Sequence, residues 1–288
     1  MSALGAILVG MGQSILNFLP ILGLAAVLFT LVSLVATPCN PGPRWWRKPD
    51  LALDLCYWFL GPVVASWISV LLLTGFVYMI FHGEVESASV FLRDGHGLLA
   101  PLPFWLQIPT YLLLIDFILY WTHRLFHSAK FWRYHAIHHS SEHLDWTSAT
   151  RFHPGNLLLG NTFADLCALF LGIAPEVLVA VAPFNVLTGA MVHANLDWTF
   201  GPFRYVFASP IFHRWHHTTS DRGGNKNFAP TFPFLDLAFG TFYMPDGQRP
   251  DRFGTDDRDV PRNLIGQLAY PWLGRRNSQN RPVEGAPH

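Results

Sequence analysis

The sequence predicts an all-α, polytopic membrane protein with about three membrane spans, a helical hairpin and a cytoplasmic cap of histidine-rich helices. Composition is the first reason: 51% of the 288 residues are hydrophobic and 13% are charged, which is ordinary for helical membrane proteins and unusual for soluble enzymes. The second reason is that long apolar stretches alternate with polar segments, which hold most of the histidines. We expect one membrane-embedded domain over residues 1–288, with its motifs between about residues 116 and 245.

Three stretches have the ~20 mostly apolar residues that a membrane-spanning helix needs. They are residues 15–36, 55–81 and 102–121. The second contains Gly61-Pro62, which predicts a kink that neighbouring helices can accommodate. A fourth apolar region, residues 157–192, contains Pro175 and Pro183 and therefore predicts two helices in a hairpin. Because a hairpin returns the chain to its starting side, the histidines before and after it should lie on the same side.

The loops predict the orientation of the chain in the membrane. The first loop carries Arg44, Arg47 and Lys48, whereas the second, residues 83–97, is mainly acidic. The positive-inside rule places the first loop in the cytoplasm, and with it the histidine-rich segments 122–156 and 195 to about 244, which would form the cap. Residues 284–288 carry no dilysine or KDEL-type signal, which favours a bacterial inner membrane over the endoplasmic reticulum.

Charge and cysteine content narrow the function classes. The formal net charge is zero and no run of basic residues is present, so nucleic acid is not an expected partner. The cysteines Cys39, Cys56 and Cys167 are isolated from one another, which argues against a disulfide framework and against a CxxC metal site. A metal site in this chain would therefore be built from histidine.

Eight histidines fall into three motifs with helical spacing: His123 and His127 in HRLFH, His135, His138 and His139 in HAIHH, and His213, His216 and His217 in HRWHH. On an α-helix, residues three or four apart share one side, so each motif can present its imidazoles together. We expect the three segments to converge on a common centre, with two metal ions at four ligands each. Imidazole suits iron, zinc, copper or nickel, and a zinc-protease mechanism is not expected because HRLFH lacks the glutamate of HExxH.

The order HxxxH, HxxHH, HxxHH along a chain of membrane spans resembles the fatty acid hydroxylase superfamily, also called the sterol desaturase family. The runs DFILYWTHRLFH, HAIHHSSEHLDWTSATRFHP, VHAN, SPIFHRWHHTT and DLAFGTFYMP are similar to that family's successive signature blocks. The resemblance implies hydroxylation or desaturation of a membrane lipid, such as a sterol, a sphingolipid or a fatty acyl chain, with molecular oxygen at a non-haem di-iron centre. It also implies the metal ligands, which are His123, His127, His135, His138, His139, His213, His216 and His217, and it adds His193 and His153.

Other polar residues are candidates for supporting roles. Asp116 lies in an apolar stretch on the same helical face as His123, and would accept the second ring N–H of a ligand histidine. Four residues of the cap could do the same: Asp145, Asn195, Asp197 and Asp236. His143 lies four residues after the last histidine of HAIHH and is an alternative ligand. The histidines outside the motif blocks, for which no role is expected, are His82, His96 and His288.

An oxygenase of this kind would need an external source of electrons. The chain contains no GxGxxG motif for a dinucleotide, no CxxCH haem motif and no cysteine set for an iron–sulfur cluster. We therefore expect a separate NAD(P)H-linked carrier, such as a ferredoxin, a cytochrome b5-like protein or a reductase. Its docking surface would be the cap, where the basic residues are Arg124, Lys130, Arg133, Arg204, Arg214 and Arg222.

Two other functions are alternatives at this point. A multi-span metal-binding or transport protein would have ionisable residues along its spans, whereas only Asp116 and Asp165 stand out in the apolar segments. A zinc-dependent lipid hydrolase would use the same histidines for zinc. Zinc is also expected to replace iron in recombinant protein, since geometry rather than affinity separates these metals at imidazole sites.

Overall fold

The structure is a computed structural model that describes residues 3–84, 86, 87, 90, 96–219, 223–257 and 259–273. The described chain is helical, and the β-type pairing within it is an isolated bridge between Thr218 and Phe253. The predicted all-α class is therefore confirmed.

Two long helices form the N-terminal part of the fold. α1 spans Ala3–Val35 and α2 spans Leu51–Phe81, and a 3-10 turn, Trp45–Arg47, lies in the loop between them. α2 continues through Pro62, because a proline removes one backbone hydrogen bond while the flanking turns keep theirs. The helix begins before the predicted start of the span at residue 55, which places Asp54 in its first turn.

The third long helix and the hairpin follow. α3 spans Phe104–Phe126, and the short α4 spans Trp132–His139. The first arm of the hairpin is compound, with α5 (Pro154–Leu157), a π-helical turn (Leu158–Thr162) and α6 (Phe163–Phe170). The second arm is α7, Pro175–His193. Pro175 lies in the first turn of α7, where its missing N–H costs little. Pro183 lies inside the helix and, contrary to the prediction, does not interrupt it.

Among the described residues, four helices are long and apolar enough to cross a membrane: Leu16–Val35, Leu51–Leu72, Phe104–Phe126 and Pro175–His193. The fourth is the second arm of the hairpin, so the described part of the chain has one more candidate span than the three predicted from continuous stretches. Their outward sides are apolar, since only 11% to 28% of the most apolar segment of each is buried, and Val27 and Leu31 are 61% and 59% exposed. Exposed apolar surface of this extent suits a lipid environment.

α7 joins the two apolar cores that hold these helices together. Near its end it packs with α1 and α2 around Trp58 and Trp146, whose ring centroids are 5.4 Å apart. Nearer its start it packs against α3 and α6, where Ala164 and Ala168 are fully buried and their small side chains allow a close approach. α7 ends at His193, so its packing sets the position of that residue.

The remaining helices are short and form the cap. They are α8 (Pro210–His216), α9 (Phe234–Ala238) and α10 (Leu264–Ala269). α8 begins after Ser209, whose Oγ accepts a hydrogen bond from the Phe212 backbone N–H at 3.2 Å. Pro210 occupies the first helical position, where its fixed φ suits the helix. These two residues start the helix that carries HRWHH.

A buried cluster of charges joins the cap to α2. Asp54 is 0% exposed and pairs with both Lys48 and Arg151, whose Nε donates to Asp54 Oδ1 at 2.8 Å. Lys48 Nζ also donates to Ser148 Oγ at 2.8 Å, and Arg151 Nη2 donates to Asp50 Oδ2 at 2.7 Å. Two cations and two carboxylates thus balance one another, which is the condition for keeping charges inside a fold. A carboxylate in an apolar helix is the signal that could have predicted this cluster, but the predicted span began just after it.

Candidate metal centre

Four segments bring histidines to one region of the cap. His123 lies in the last turn of α3, and His127 caps that helix. α4 carries the three histidines of HAIHH, α8 carries His213 and His216 with His217 as its cap, and α7 ends at His193. The motifs before and after the hairpin therefore meet on the same side, as the hairpin prediction requires.

Nine histidines form two groups, and within each group one ring nitrogen per residue lies within 4.8 Å of all the others. The five-histidine group consists of His123, His127, His135, His139 and His216. The four-histidine group consists of His138, His193, His213 and His217. The sequence predicted one common centre with four ligands per metal, whereas the structure separates five histidines from four, and His193 completes the smaller group.

The two HxxHH motifs are divided between the groups in opposite ways. The first and last histidines of HAIHH belong to the five-histidine group and His138 to the other, whereas in HRWHH only His216 belongs to the five-histidine group. Helix geometry explains the division, because positions i and i+4 differ by only ~40° around the axis while i+3 lies ~100° from i+4. Each motif therefore serves both groups, and the groups are adjacent: the rings of His139 and His217 stack with centroids 4.6 Å apart.

The Nε2 atoms face one another inside each group. In the five-histidine group the Nε2–Nε2 distance is 3.0 Å both for His123 with His135 and for His139 with His216. In the four-histidine group His193 is central, because its Nε2 lies 3.2, 3.2 and 3.1 Å from the Nε2 atoms of His138, His213 and His217. In each group, one ring nitrogen from every histidine therefore lies close to a common centre.

Acceptors on the outer side of four rings fix which nitrogen carries the proton. The bonds are His123 Nδ1 to Phe228 O at 2.8 Å, His216 Nδ1 to Lys226 O at 2.7 Å, His193 Nδ1 to Gly189 O at 2.7 Å and His127 Nδ1 to Asn225 Oδ1 at 3.1 Å. A carbonyl oxygen only accepts, so these Nδ1 atoms donate and the Nε2 atoms carry lone pairs. Three of the acceptors are backbone carbonyls, which give no side-chain signal in the sequence, so sequence reasoning missed them.

Asn156 contacts the five-histidine group from its outer side. Its Nδ2 lies 3.1 Å from His135 Nδ1, while its Oδ1 is buried and makes no hydrogen bond within the described chain. The nitrogen and oxygen of an amide exchange places by half a rotation. With Oδ1 toward the ring, Asn156 accepts from Nδ1–H, and His135 then follows the same pattern as the four histidines above.

The two groups fit transition-metal ions. Burial is the largest cause that lowers the pKa of seven of the histidines well below 6.5, and repulsion between neighbouring imidazolium charges adds to it; these are His127, His135, His138, His139, His213, His216 and His217. The rings are therefore neutral, and lone pairs that converge at about 3 Å need a cation between them. The buried Nε2 of His127 has no hydrogen-bond partner in the described chain and is free to bind one. Imidazole sets without carboxylate suit iron, zinc, copper or nickel.

His153 and His143 lie outside both groups. His153 caps α5: its Nδ1 accepts from the Gly155 N–H at 2.9 Å and its Nε2 donates to Leu268 O at 3.1 Å, so both ring nitrogens are used. The inclusion of His153 among the metal ligands does not agree with this geometry. His143 is exposed, and His82 is an exposed turn residue, while His288 lies outside the described residues.

The polar residues that were predicted to accept a ring N–H of a ligand histidine bind other groups instead. Asp116 accepts from the backbone N–H groups of Thr231 and Phe232 at 2.8 and 2.9 Å, not from a histidine ring. Asp236, also a candidate from the sequence, accepts from Phe228 N–H at 2.7 Å and likewise does not bind a histidine ring in the described structure. The two carboxylates therefore hold the segment 228–232, whose Phe228 carbonyl in turn binds His123.

Asn195 and Asp197 also differ from the prediction. Asn195 makes two hydrogen bonds with the backbone of Asn40, at 3.0 and 2.8 Å, and Asp197 forms an ion pair with Arg249. Neither bonds to a ligand ring in the described structure. Both residues instead connect the chain just after α7 to neighbouring loops. Their partners are distant in the sequence, so sequence reasoning could not identify these contacts.

Arg214 is buried and cannot contribute to a docking surface. It is 1% exposed, and its Nη1 donates to Leu144 O and His193 O at 2.9 and 3.1 Å. Its Nη2 donates to Asn40 Oδ1 at 2.6 Å. Arg214 thus connects the HRWHH helix to the end of α7. Of the other basic residues predicted for docking, Arg204 pairs with Asp246, and Arg222 lies outside the described residues.

An apolar cleft of about 540 Å³ lies beside the end of α7. Its walls include Thr188 and Val192 of α7 and Phe203, Phe207 and Ala208 of the cap. Val192 directly precedes His193, so one wall of the cleft belongs to the last turn of α7, which also carries a member of the four-histidine group. A cleft of this volume and composition suits an apolar ligand.

Three relatives resemble this chain over about half its length. The chain is 30% identical to the ornithine lipid hydroxylase OlsE of Rhizobium tropici over 171 residues, which are 59% of this chain and 51% of that protein. It is 28% identical to the alkylglycerol monooxygenase of Xenopus tropicalis over 59% of this chain and 38% of that protein. It is 28% identical to methylsterol monooxygenase 2-2 of Arabidopsis thaliana over 54% of this chain and 61% of that protein. The chain thus spans about half the length of the first relative and less of the second. No solved structure matches the chain.

The family match covers the candidate site. Residues 108–241 match the family described as fatty acid hydroxylase, and this range contains all nine histidines of the two groups. The motifs predicted from the sequence lie at about residues 116–245, a range that overlaps nearly all of the match. This segment of the chain is therefore similar to the fatty acid hydroxylase family, the family that the order of the histidine motifs resembles.

Proposed function

We propose that this chain is an integral membrane oxygenase that hydroxylates a lipid with molecular oxygen at a pair of iron ions. The observation that carries the proposal is the pair of adjacent histidine groups, one with five members and one with four. A transport path would have to release its ions, whereas these nitrogens converge in buried groups. A metal-dependent hydrolase uses a carboxylate or similar base beside its metal, and neither group contains one.

Iron bound by both groups would supply the oxidising power to break an unactivated C–H bond, which no protein side chain can do. The balanced reaction consumes one O2, two electrons and two protons, converts a lipid C–H to C–OH, and releases the second oxygen atom as water. The chain's own contribution is to hold nine neutral nitrogens and to exclude water from them. Phe228, which is 3% exposed, packs against the rings of His123 and His127, and Phe152 stacks on His138 with centroids 4.1 Å apart.

A lipid is the substrate class that these features favour. The relatives' names specify an ornithine lipid, an alkylglycerol and a methylsterol, all of which are apolar or carry long apolar chains. The apolar cleft beside Val192 offers space for such a chain at the end of α7, the helix that carries His193. The same names are those of hydroxylases and monooxygenases, so we propose hydroxylation rather than desaturation.

The cap is proposed to face the cytoplasm of a bacterial inner membrane. Arg44 and Arg47 are exposed in the first loop, in keeping with the positive-inside rule. Lys48, the third basic residue of that loop, is 4% exposed and paired with Asp54, so its charge adds little to that bias. The electrons are proposed to come from a separate NAD(P)H-linked carrier on the same side.

The experiment that tests this function combines metal analysis with lipid turnover. Purified protein reconstituted with iron is expected to bind about two irons per chain. It is expected to oxidise a lipid from its host membrane only when both O2 and a reductant are present. His138→Ala and His216→Ala remove one ligand from each group and should lower both iron content and activity, whereas His143→Ala, at an exposed position, is the matched control. Product formed without O2, or full iron content and activity in both ligand variants, would contradict the proposal.

A further inference from the structure

Trp132 links the five-histidine group to the surface of the cap. It is the first residue of α4, and its ring centroid lies 5.2 Å from that of His127 and 5.3 Å from that of His139. Within the described chain it is the only tryptophan or tyrosine with a ring contact to either histidine group. Its side chain is partly exposed, whereas Phe228, on the same group, is buried. An aromatic ring therefore spans the distance between the ligand imidazoles and solvent.

The surface around Trp132 is cationic. Residues 122–139 contain Arg124, Lys130 and Arg133 and no carboxylate, and residues 223–229 contain Lys226 and no carboxylate. Lys130 is exposed and Lys226 is partly exposed. The second segment lies at the same group, because Lys226 O binds His216 Nδ1 and its neighbour Asn225 binds His127 Nδ1.

The carboxylate of Asp257 is linked to this face through Tyr270. Arg133 packs over the ring of Tyr270 at 4.4 Å, and the hydroxyl of Tyr270 donates to Asp257. That carboxylate is thus already engaged by a hydrogen bond. Lys130, Arg133 and Lys226 together outnumber it, so the face around Trp132 has a net positive charge.

We propose that the face formed by Trp132, Lys130, Arg133 and Lys226 is the docking surface for an acidic one-electron carrier protein, with Trp132 as the point of closest approach to the ligand rings. The inference rests on the proposed oxygenase function, which requires two electrons per turnover, and on the absence of a redox-cofactor motif in this sequence. Two carrier molecules each lose one electron in successive encounters. The two electrons and two protons then complete the reduction of one O2 to the lipid hydroxyl and one water.

The effect of charge on the rate of reduction tests this docking surface without knowledge of the physiological carrier. Opposite charges steer association at low ionic strength, and the effect falls as the screening length shrinks from ~30 Å at 0.01 M salt to ~10 Å at 0.1 M. Reversing one exposed charge of the face should therefore change encounter rates with charged reductants in opposite directions according to their sign.

The test is stopped-flow reduction of the iron-loaded protein in lipid nanodiscs, followed by the loss of ferric absorbance and without lipid substrate. The reductants are an acidic plant-type ferredoxin, the dithionite anion and the reduced methyl viologen cation. At low salt, Lys130→Glu should slow reduction by ferredoxin and dithionite by about threefold to tenfold and accelerate reduction by methyl viologen. The matched control is Arg262→Glu, because Arg262 is 87% exposed in its side chain and its guanidinium pairs with Glu142 rather than forming part of this face. It should leave all three rates unchanged.

Trp132 is tested separately. Trp132→Leu should slow reduction by all three reductants while iron content and the ferric absorbance stay as in the wild type, and Trp132→Phe, which keeps a ring against His127 and His139, should recover most of the rate. Equal rates for Lys130→Glu and Arg262→Glu would overturn the docking surface. Failure of ferredoxin to reduce a wild type that dithionite reduces would overturn the acidic carrier.

The reduction rates and the oxygenase function are measured in separate experiments, so either can fail without the other. Metal reduction is measured without substrate, whereas lipid hydroxylation is tested by a single turnover of chemically reduced protein with O2. A reducible centre that oxidises no lipid would refute the proposed function and leave the electrostatic result standing.

Discussion

Replacing Asp54 by asparagine tests whether the buried charge cluster supports the histidine cap. Asp54 is 0% exposed and is the shared partner of Lys48 and Arg151, whose side chains are 1% and 2% exposed. The Asp54→Asn variant would leave two buried cations with Asp50 as their remaining carboxylate, and Asp50 is 24% exposed and 3.9 Å from Lys48 Nζ. Breaking a buried ion pair from one side costs ~3–5 kcal/mol. That loss is a large part of the ~5–15 kcal/mol that stabilises a typical fold.

The matched control is Asp197→Asn. Asp197 pairs with Arg249, but their side chains are 28% and 40% exposed, so the loss should be only ~0–1 kcal/mol. The measurement is the free energy of unfolding in mixed micelles, followed by circular dichroism. Iron retention should fall in Asp54→Asn as well, because Lys48 Nζ also binds His143 O at 3.2 Å, just beyond HAIHH. Unfolding free energies of the two variants that agree within ~1 kcal/mol would refute the view that burial makes this cluster strong.

Three further predictions concern the ligand groups. Asn225→Ala removes the acceptor of His127 Nδ1–H and should weaken iron binding ~10–100-fold in a chelator competition, and unchanged affinity would show that this bond does not orient the ring. His193→Ala should lose iron whereas His153→Ala should keep it, as measured by metal analysis, because only His193 belongs to a group; the reverse result would return His153 to the ligand set. Burial holds the pKa of His135 and His213 well below 6.5, so below pH ~6.5 the unfolded metal-free chain binds protons that the folded chain does not. The metal-free protein should therefore lose unfolding free energy as the pH falls from 7 toward 5, and a stability that rises over that range would contradict neutral buried rings.

Much of the fold follows from the sequence because its strongest signals are local. Continuous apolar stretches predicted the three long helices, and Pro175 correctly opened the second arm of the hairpin. Pro183 was misleading, since its effect on a helix depends on whether neighbouring turns and helices stabilise the segment. α7 packs into both apolar cores, and that packing is a property of the whole fold rather than of the segment.

The candidate site was only partly predictable for a similar reason. Spacing and resemblance identified the nine histidines that the structure brings together. The membership of His138 in the four-histidine group and of His216 in the five-histidine group, however, depends on how α4 and α8 meet. His153 matched a family position, yet its local role as the cap of α5 uses both of its nitrogens. Backbone acceptors such as Phe228 O have no residue-type signal, and the role of Asp116 became visible only through the segment that it binds.

The most direct test of the central claim is the origin of the oxygen atom in the product. Iron-loaded protein, reductant and host membrane lipid are incubated under ¹⁸O2 in ordinary water, and the oxidised lipid is examined by mass spectrometry. The account predicts a hydroxylated lipid that carries one ¹⁸O atom, and no label in the parallel reaction with ¹⁶O2 in H2¹⁸O. Label that comes from water, or a product that forms without O2, would contradict an oxygenase at the two histidine groups.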